Sequence, residues 1–156
     1  MSPESAWDWW RAQRPPAELV HLDTAAAGRS STANVAAWVG MCTAVREFTA
    51  AGPARVWDRL AAVGRQTRQA LADLPGWTVA GPASAGSAIT ALRPADGQDV
   101  ATVRARLLAE HGLVTTAAAI TRAPRDMTEP LLRISPHVDC TPQDLARLRQ
   151  ALLTLG

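Results

Sequence analysis

An arginine set inside an apolar run is the first place to look for chemistry in this chain. In LLRISPHV, residues 131 to 138, Arg133 is flanked by Leu131, Leu132 and Ile134. A strand there would hold the guanidinium on a rigid support, where its planar fork can grip a carboxylate through two parallel hydrogen bonds. The other reading is an edge arginine paired with a local acid. Two further stretches offer something to a ligand. After Asp23 come Thr24, Ala25, Ala26, Ala27 and Gly28, small residues that leave the backbone open to close approach by a ligand or a second chain. Thr115 and Thr116 in LVTTAAAI bring hydroxyls to the end of a strand, or serve simply as strand residues. His137 is placed to hydrogen-bond near Arg133, or to hold a structural hydroxyl or backbone group.

Other constellations fall away. His137, Asp139 and Cys140 crowd together in sequence, but a strand would turn 137 and 139 to one face and 140 to the other, so no metal site is expected. Cys42 and Cys140 are far apart, outside any CxxC pattern, and read as free thiols. The Lys and Arg total of 16 is all arginine, because the sequence has no lysine. This removes the one side chain that forms a Schiff base with a carbonyl cofactor. With 14 acidic residues and a net charge of +2, the scattered arginines describe a solvated surface and not a nucleic-acid footprint. No apolar stretch approaches the roughly 20 residues that span a bilayer, and MSPESAWDWWRAQRPP lacks the apolar core of a signal peptide. No membrane partner is expected, and the cytoplasm is the expected location.

The elements that must position these residues follow from periodicity and punctuation. At 156 residues, 47% of them apolar, the chain has room for one domain with a core. Residues 4 to 13 read as a short helix carrying Trp7, Trp9 and Trp10, stopped by Pro15 and Pro16. A helix is predicted over 33–50, with Val35, Trp38, Val39, Cys42 and Val45 on one stripe, and another over 54–73. In the second, Val56, Leu60, Val63, Thr67, Leu71 and Leu74 face inward while Arg55, Arg59, Arg65 and Arg68 face out. Beyond Leu74-Pro75-Gly76 the period shortens, and 76–82 and 87–94 read as strands joined by the loop Ala83 to Gly86. A helix from about Gln98 to Glu110 turns Val100, Val103, Leu107 and Leu108 inward, with Asp96 as its cap and Gly112 past its end. Strands at 113–120 and 131–138 follow. The last helix opens with Thr141, Pro142 and Asp144 and buries Leu145, Leu148, Leu152 and Leu155. The order from residue 76 is β-β-α-β-β-α, which implies an α+β fold, a mostly antiparallel sheet covered by helices and preceded by two helices and an arm.

Several of these stretches also carry a likeness. LLRISPHVDCTPQDLARL resembles the C-terminal signature of class V aminotransferase-like PLP enzymes, where an Arg-x-Ser strand is followed by a polar turn and a helix that begins with an acid. HLDTAAAGRSS resembles the N-terminal Leu-Asp-x-Ala-Ala segment of the same family. WRAQRP, ANVAAWVG, GWTVAGPASAGSAITAL, LVTT and TRAP are similar, in order, to its carbon–sulfur lyase members. The resemblance implies an N-terminal arm, residues 1–32, joined near Ser31 to Ala33 to the small C-terminal domain of a fold-type I PLP enzyme, residues 33–156. The large PLP-binding domain expected between them is absent.

By that resemblance Arg133 holds the substrate carboxylate, Asp23, Thr24, Ala25 and Ala26 border the active site through their backbone, and the ligand is a small amino-acid sulfoxide. The family keeps its Schiff-base lysine, the acid opposite the pyridine nitrogen and the phosphate donors in the missing region. Hence no catalytic or cofactor-binding residue is assigned, and PLP is not expected to bind this chain covalently. Loss of a large domain would bare apolar surface on the helices at 33–73, which predicts self-association as a homodimer or higher, or docking onto a full-length lyase.

Overall fold

The change of period after Leu74 is where helix gives way to sheet. A computed structural model describes residues 20–21, 34–95 and 98–155, with side chains from Gly40 onward. In chain order the elements are β1 (Val20–His21), α1 (Asn34–Ala51), α2 (Pro53–Leu71), β2 (Trp77–Ala80), β3 (Thr90–Pro94), α3 (Val100–His111), β4 (Leu113–Val114), β5 (Thr116–Ala118), a 3-10 turn (Ile120–Arg122), β6 (Leu131–Ile134) and α4 (Pro142–Leu155). The main sheet runs β2-β3-β6-β5 and is antiparallel throughout. The α+β expectation therefore holds, with two changes of detail. The strand expected over 113–120 is divided at Thr115, and the one expected over 131–138 stops at Ile134, two residues before Pro136, which has no N–H to give a ladder. Beside the main sheet, β1 pairs parallel with β4, a contact that local patterning does not reveal.

Alternation places the core. Leu92 on β3 and Leu132 and Ile134 on β6 point to the helical layer, where Val63 and Leu71 of α2, Leu107 of α3 and Leu148 and Leu152 of α4 meet them, all fully buried. Each such side chain contributes about 2 kcal/mol of hydrophobic transfer. The ends of the covering helices are closed by side chains. Asp99, not Asp96, caps α3 by accepting from the amides of Ala101 and Thr102 at 3.1 Å; Asp96 lies outside the described residues. Gly112 ends the helix at φ 63°, a left-handed conformation that glycine adopts without strain. At α4 the Thr141 hydroxyl accepts from the Asp144 amide (3.2 Å), while the Asp144 carboxylate accepts from the Thr141 amide (2.8 Å), a reciprocal cap. Leu108, expected inside, is 37% exposed.

Helix α2 corrects a second expectation. Arg68 does not face out: it is 6% exposed. Its guanidinium donates to the carbonyls of Ala83, Ala85 and Ser87 at 3.2, 2.5 and 3.0 Å, and reaches Ile89 O at 3.5 Å. The arginine thereby satisfies inward carbonyls of the loop of small residues between β2 and β3. Gly64, one turn earlier, permits the approach, since a Cβ there would collide with the Ser87 carbonyl oxygen. Arg59 also turns inward, donating from Nε to Val138 O (2.9 Å) and from Nη2 to Cys140 O (2.7 Å). On α1, Cys42 and Val45 of the expected stripe are exposed, in line with apolar surface bared on this helix. The helix predicted over residues 4 to 13 lies outside the described residues.

Candidate functional site

Arg133 sits on β6, between β3 and β5, so it is not an edge arginine. Strand register sets it level with Ala91 on one side and Thr116 on the other. Because Leu132 and Ile134 take the core face, Arg133 stands on the opposite one, half-buried in the row Ala91–Arg133–Thr116. Its Nη2 donates to the Thr116 hydroxyl at 3.4 Å. Three antiparallel strands thus fix the Cα of the arginine, and a hydroxyl from the neighbouring strand steadies one arm of the fork. A guanidinium held this way binds a carboxylate at little further entropic cost.

The two threonines part company. Thr116 joins Arg133, whereas Thr115 is 2% exposed and its hydroxyl has no hydrogen-bond partner among the described residues. Both line a shallow pocket of about 360 Å³, together with Ala101, Arg104 and Ala117. Arg104 was not foreseen; its only signal in the sequence is its place one turn after Ala101 on α3. His137 turns to its own neighbour: its Nδ1 lies 3.1 Å from Oδ1 of Asp139, which is 3% exposed. Asp23, Thr24, Ala25 and Ala26 lie outside the described residues. The nearest described part of the arm, His21, pairs with Val114, immediately before Thr115.

This arrangement of antiparallel sheet and covering helices recurs in solved class V aminotransferase-like PLP enzymes, of which the chain matches about a third. The domain superposes on alanine–glyoxylate aminotransferase from Nostoc sp. with a TM-score of 0.64 at 20% identity, covering 80% of this chain and 32% of that one. It superposes similarly on the cysteine desulfurase CsdA from Escherichia coli (TM-score 0.63, 22% identity, 80% and 31% covered) and on serine palmitoyltransferase from Sphingomonas wittichii (0.60, 22%, 83% and 31%). No family model matches the chain.

Sequence narrows the class. Over 121 residues the chain is 49% identical to a probable hercynylcysteine sulfoxide lyase of Mycobacterium tuberculosis (strain CDC 1551 / Oshkosh). The match takes in 78% of this chain and 31% of the relative. Over that stretch the chain is a homologue of a hercynylcysteine sulfoxide lyase, and it spans about a third of the length of the proteins it matches.

PLP chemistry asks for a primary amine on the protein, and this chain carries none on any side chain. The basic side chains nearest this pocket and the Arg133 row are guanidiniums, which lack the primary amine that condenses with an aldehyde. The residues present do not fit covalent capture of the cofactor. Among the described residues there is also no cluster of three His, Cys, Asp or Glu side chains able to hold a metal ion.

Proposed function

We propose that this chain is the substrate-gripping part of a hercynylcysteine sulfoxide lyase, a truncated form that holds an amino-acid sulfoxide by its carboxylate and does not cleave it alone. Support comes chiefly from one arrangement: Arg133, in an Arg-x-Ser strand like that of the PLP lyases, steadied by Thr116 on a rigid sheet. In a complete lyase the same grip would orient the cysteine portion of the substrate so that Cα–H and the carbon–sulfur bond face the cofactor. That cofactor supplies the electron sink for β-elimination when it is bound. In the pathway to ergothioneine, the place of this activity is the release of the sulfur-bearing product, and the fitting compartment is the cytoplasm. The exposed apolar side chains of Met41, Val45 and Trp57 support association of the chain with itself.

Titration of the isotopically labelled chain with S-methyl-cysteine sulfoxide checks the first part. Amide shifts are expected at Ala91, Thr116 and Arg133, and their loss in Arg133→Met. Shifts that persist unchanged in that variant would defeat the reading, as would release of pyruvate from the sulfoxide by this chain with added PLP.

A further inference from the structure

Helix α1 has 18 residues, about 27 Å of helix at 1.5 Å per residue. From Gly40 to Ala50, however, every residue is exposed except the half-buried Glu47. A soluble helix takes most of its stability from a packed face. One is available here: Met41, Val45 and Phe48 recur at four and three residues and are 52%, 58% and 37% exposed. Trp57, from the first turns of α2, meets Phe48 edge to face with ring centroids 6.4 Å apart and is itself 63% exposed.

We infer that this face docks a second copy of the chain, α1 lying antiparallel on α1 of the partner about a two-fold axis near residue 43. The inference rests on the self-association proposed above and gives it a place. Spacing selects the occupant. In sequence, Trp38, Met41, Val45 and Phe48 keep the alternation of three and four that makes a coiled-coil seam. An antiparallel pairing centred on residue 43 overlaps the whole helix with itself. It sets Met41 level with the partner's Val45, and residue 38 level with the partner's Phe48. Such a contact uses the same patch twice and closes at two copies. Charge agrees: the only charged residues of α1, Arg46 and Glu47, fall at positions away from the seam. The exposed flanking positions hold Cys42, Ala44 and Thr49, so no like charges meet.

Taking roughly 200 Å² for a large side chain, the four exposed residues leave roughly 400 Å² of apolar surface per chain. That is at the scale where a monomer's patch becomes functional. Doubled by symmetry, roughly 800 Å² falls below the standard interface size and in the class of weak, transient pairs, for which a micromolar dissociation constant is expected.

Cys42 lies one residue from the proposed axis and is exposed, whereas Cys140 is buried, so a short bis-maleimide reports the geometry directly. Sedimentation equilibrium is expected to give a monomer–dimer equilibrium in the micromolar range, with Cys42-to-Cys42 cross-linked dimer rising with it. Val45→Glu should raise the dissociation constant at least tenfold while leaving the far-ultraviolet circular dichroism of the domain intact. Cys42→Ser should abolish the cross-link and keep the dimer. A chain that stays monomeric to 100 μM would overturn both this inference and the self-association it rests on. A dimer that neither cross-links through Cys42 nor responds to Val45→Glu would overturn the inference alone. So would cross-linking through Cys42 to an added full-length lyase in the absence of any homodimer.

Discussion

Helices α1 and α4 carry apolar stripes of similar spacing and meet opposite fates. In α4, Leu145, Leu148 and Leu152 are 4%, 0% and 0% exposed against the sheet. In α1, Met41 and Val45 stand more than half in solvent and Phe48 about a third. Periodicity says that a helix has a face to bury; it does not say what the face is buried against. For α4 the answer lies in the sheet and in helices α2 and α3, and for α1 none of the core residues named above supplies it. A chain that spans about a third of its relatives' length is where such an unanswered face is expected.

That contrast is sharpest in the energetic cost of truncating each surface. Leu132→Ala, in the middle of the sheet, removes a fully buried side chain and should cost about 3 kcal/mol or more, read as a fall in the urea midpoint at constant slope. Arg68→Met comes next. It leaves four loop carbonyls without their donor and should cost about 3 kcal/mol, with faster amide exchange confined to residues 83–89. Gly64→Ala forces a methyl against the Ser87 carbonyl and should cost about 2 kcal/mol by the same denaturation.

Smaller effects follow at the surface. Asp99→Ala removes the α3 cap and should lower the thermal midpoint at neutral pH. The hydrogen bond from the Thr102 side chain, then those from the Ala101 and Thr102 amides, hold the Asp99 carboxyl below its ordinary value. Its contribution is therefore complete above the ordinary carboxylate range and is lost as pH falls through the lowered value. The wild type and Asp99→Ala should converge in acid. Smallest of all, Val45→Ala should change the stability of the monomer by less than about 0.5 kcal/mol. A loss at Val45 as large as that at Leu132, measured below the dimer midpoint, would mean that α1 is packed within its own domain and would dissolve the contrast.

How legible this was depends on distance along the chain. Gly52-Pro53, Leu74-Pro75-Gly76 and Thr141-Pro142 mark helix ends through local backbone chemistry, and each end falls within two residues of its expected place. The row of Arg133 and Thr116 was legible in part, because apolar neighbours on either side place an arginine on a strand. Which strand would lie next to it was not. Arg68 could not be placed from periodicity: it follows Thr67 on the margin of the stripe, and its acceptors lie 15 to 21 residues away in a loop whose side chains give no hint of them. The pairing of Val20 with Leu113 is longer in range still. The place of Arg104 at the pocket was missed for a similar reason, since it follows from the strand that lies beside the helix.

The central claim is that the chain keeps the grip on a carboxylate without the amine that chemistry on PLP requires. The direct measurement is titration of the purified chain with PLP, followed by borohydride reduction and determination of the intact mass. The account predicts no saturable visible band near one equivalent and no stoichiometric pyridoxyl adduct. A saturable band accompanied by one reduced adduct per chain would contradict it.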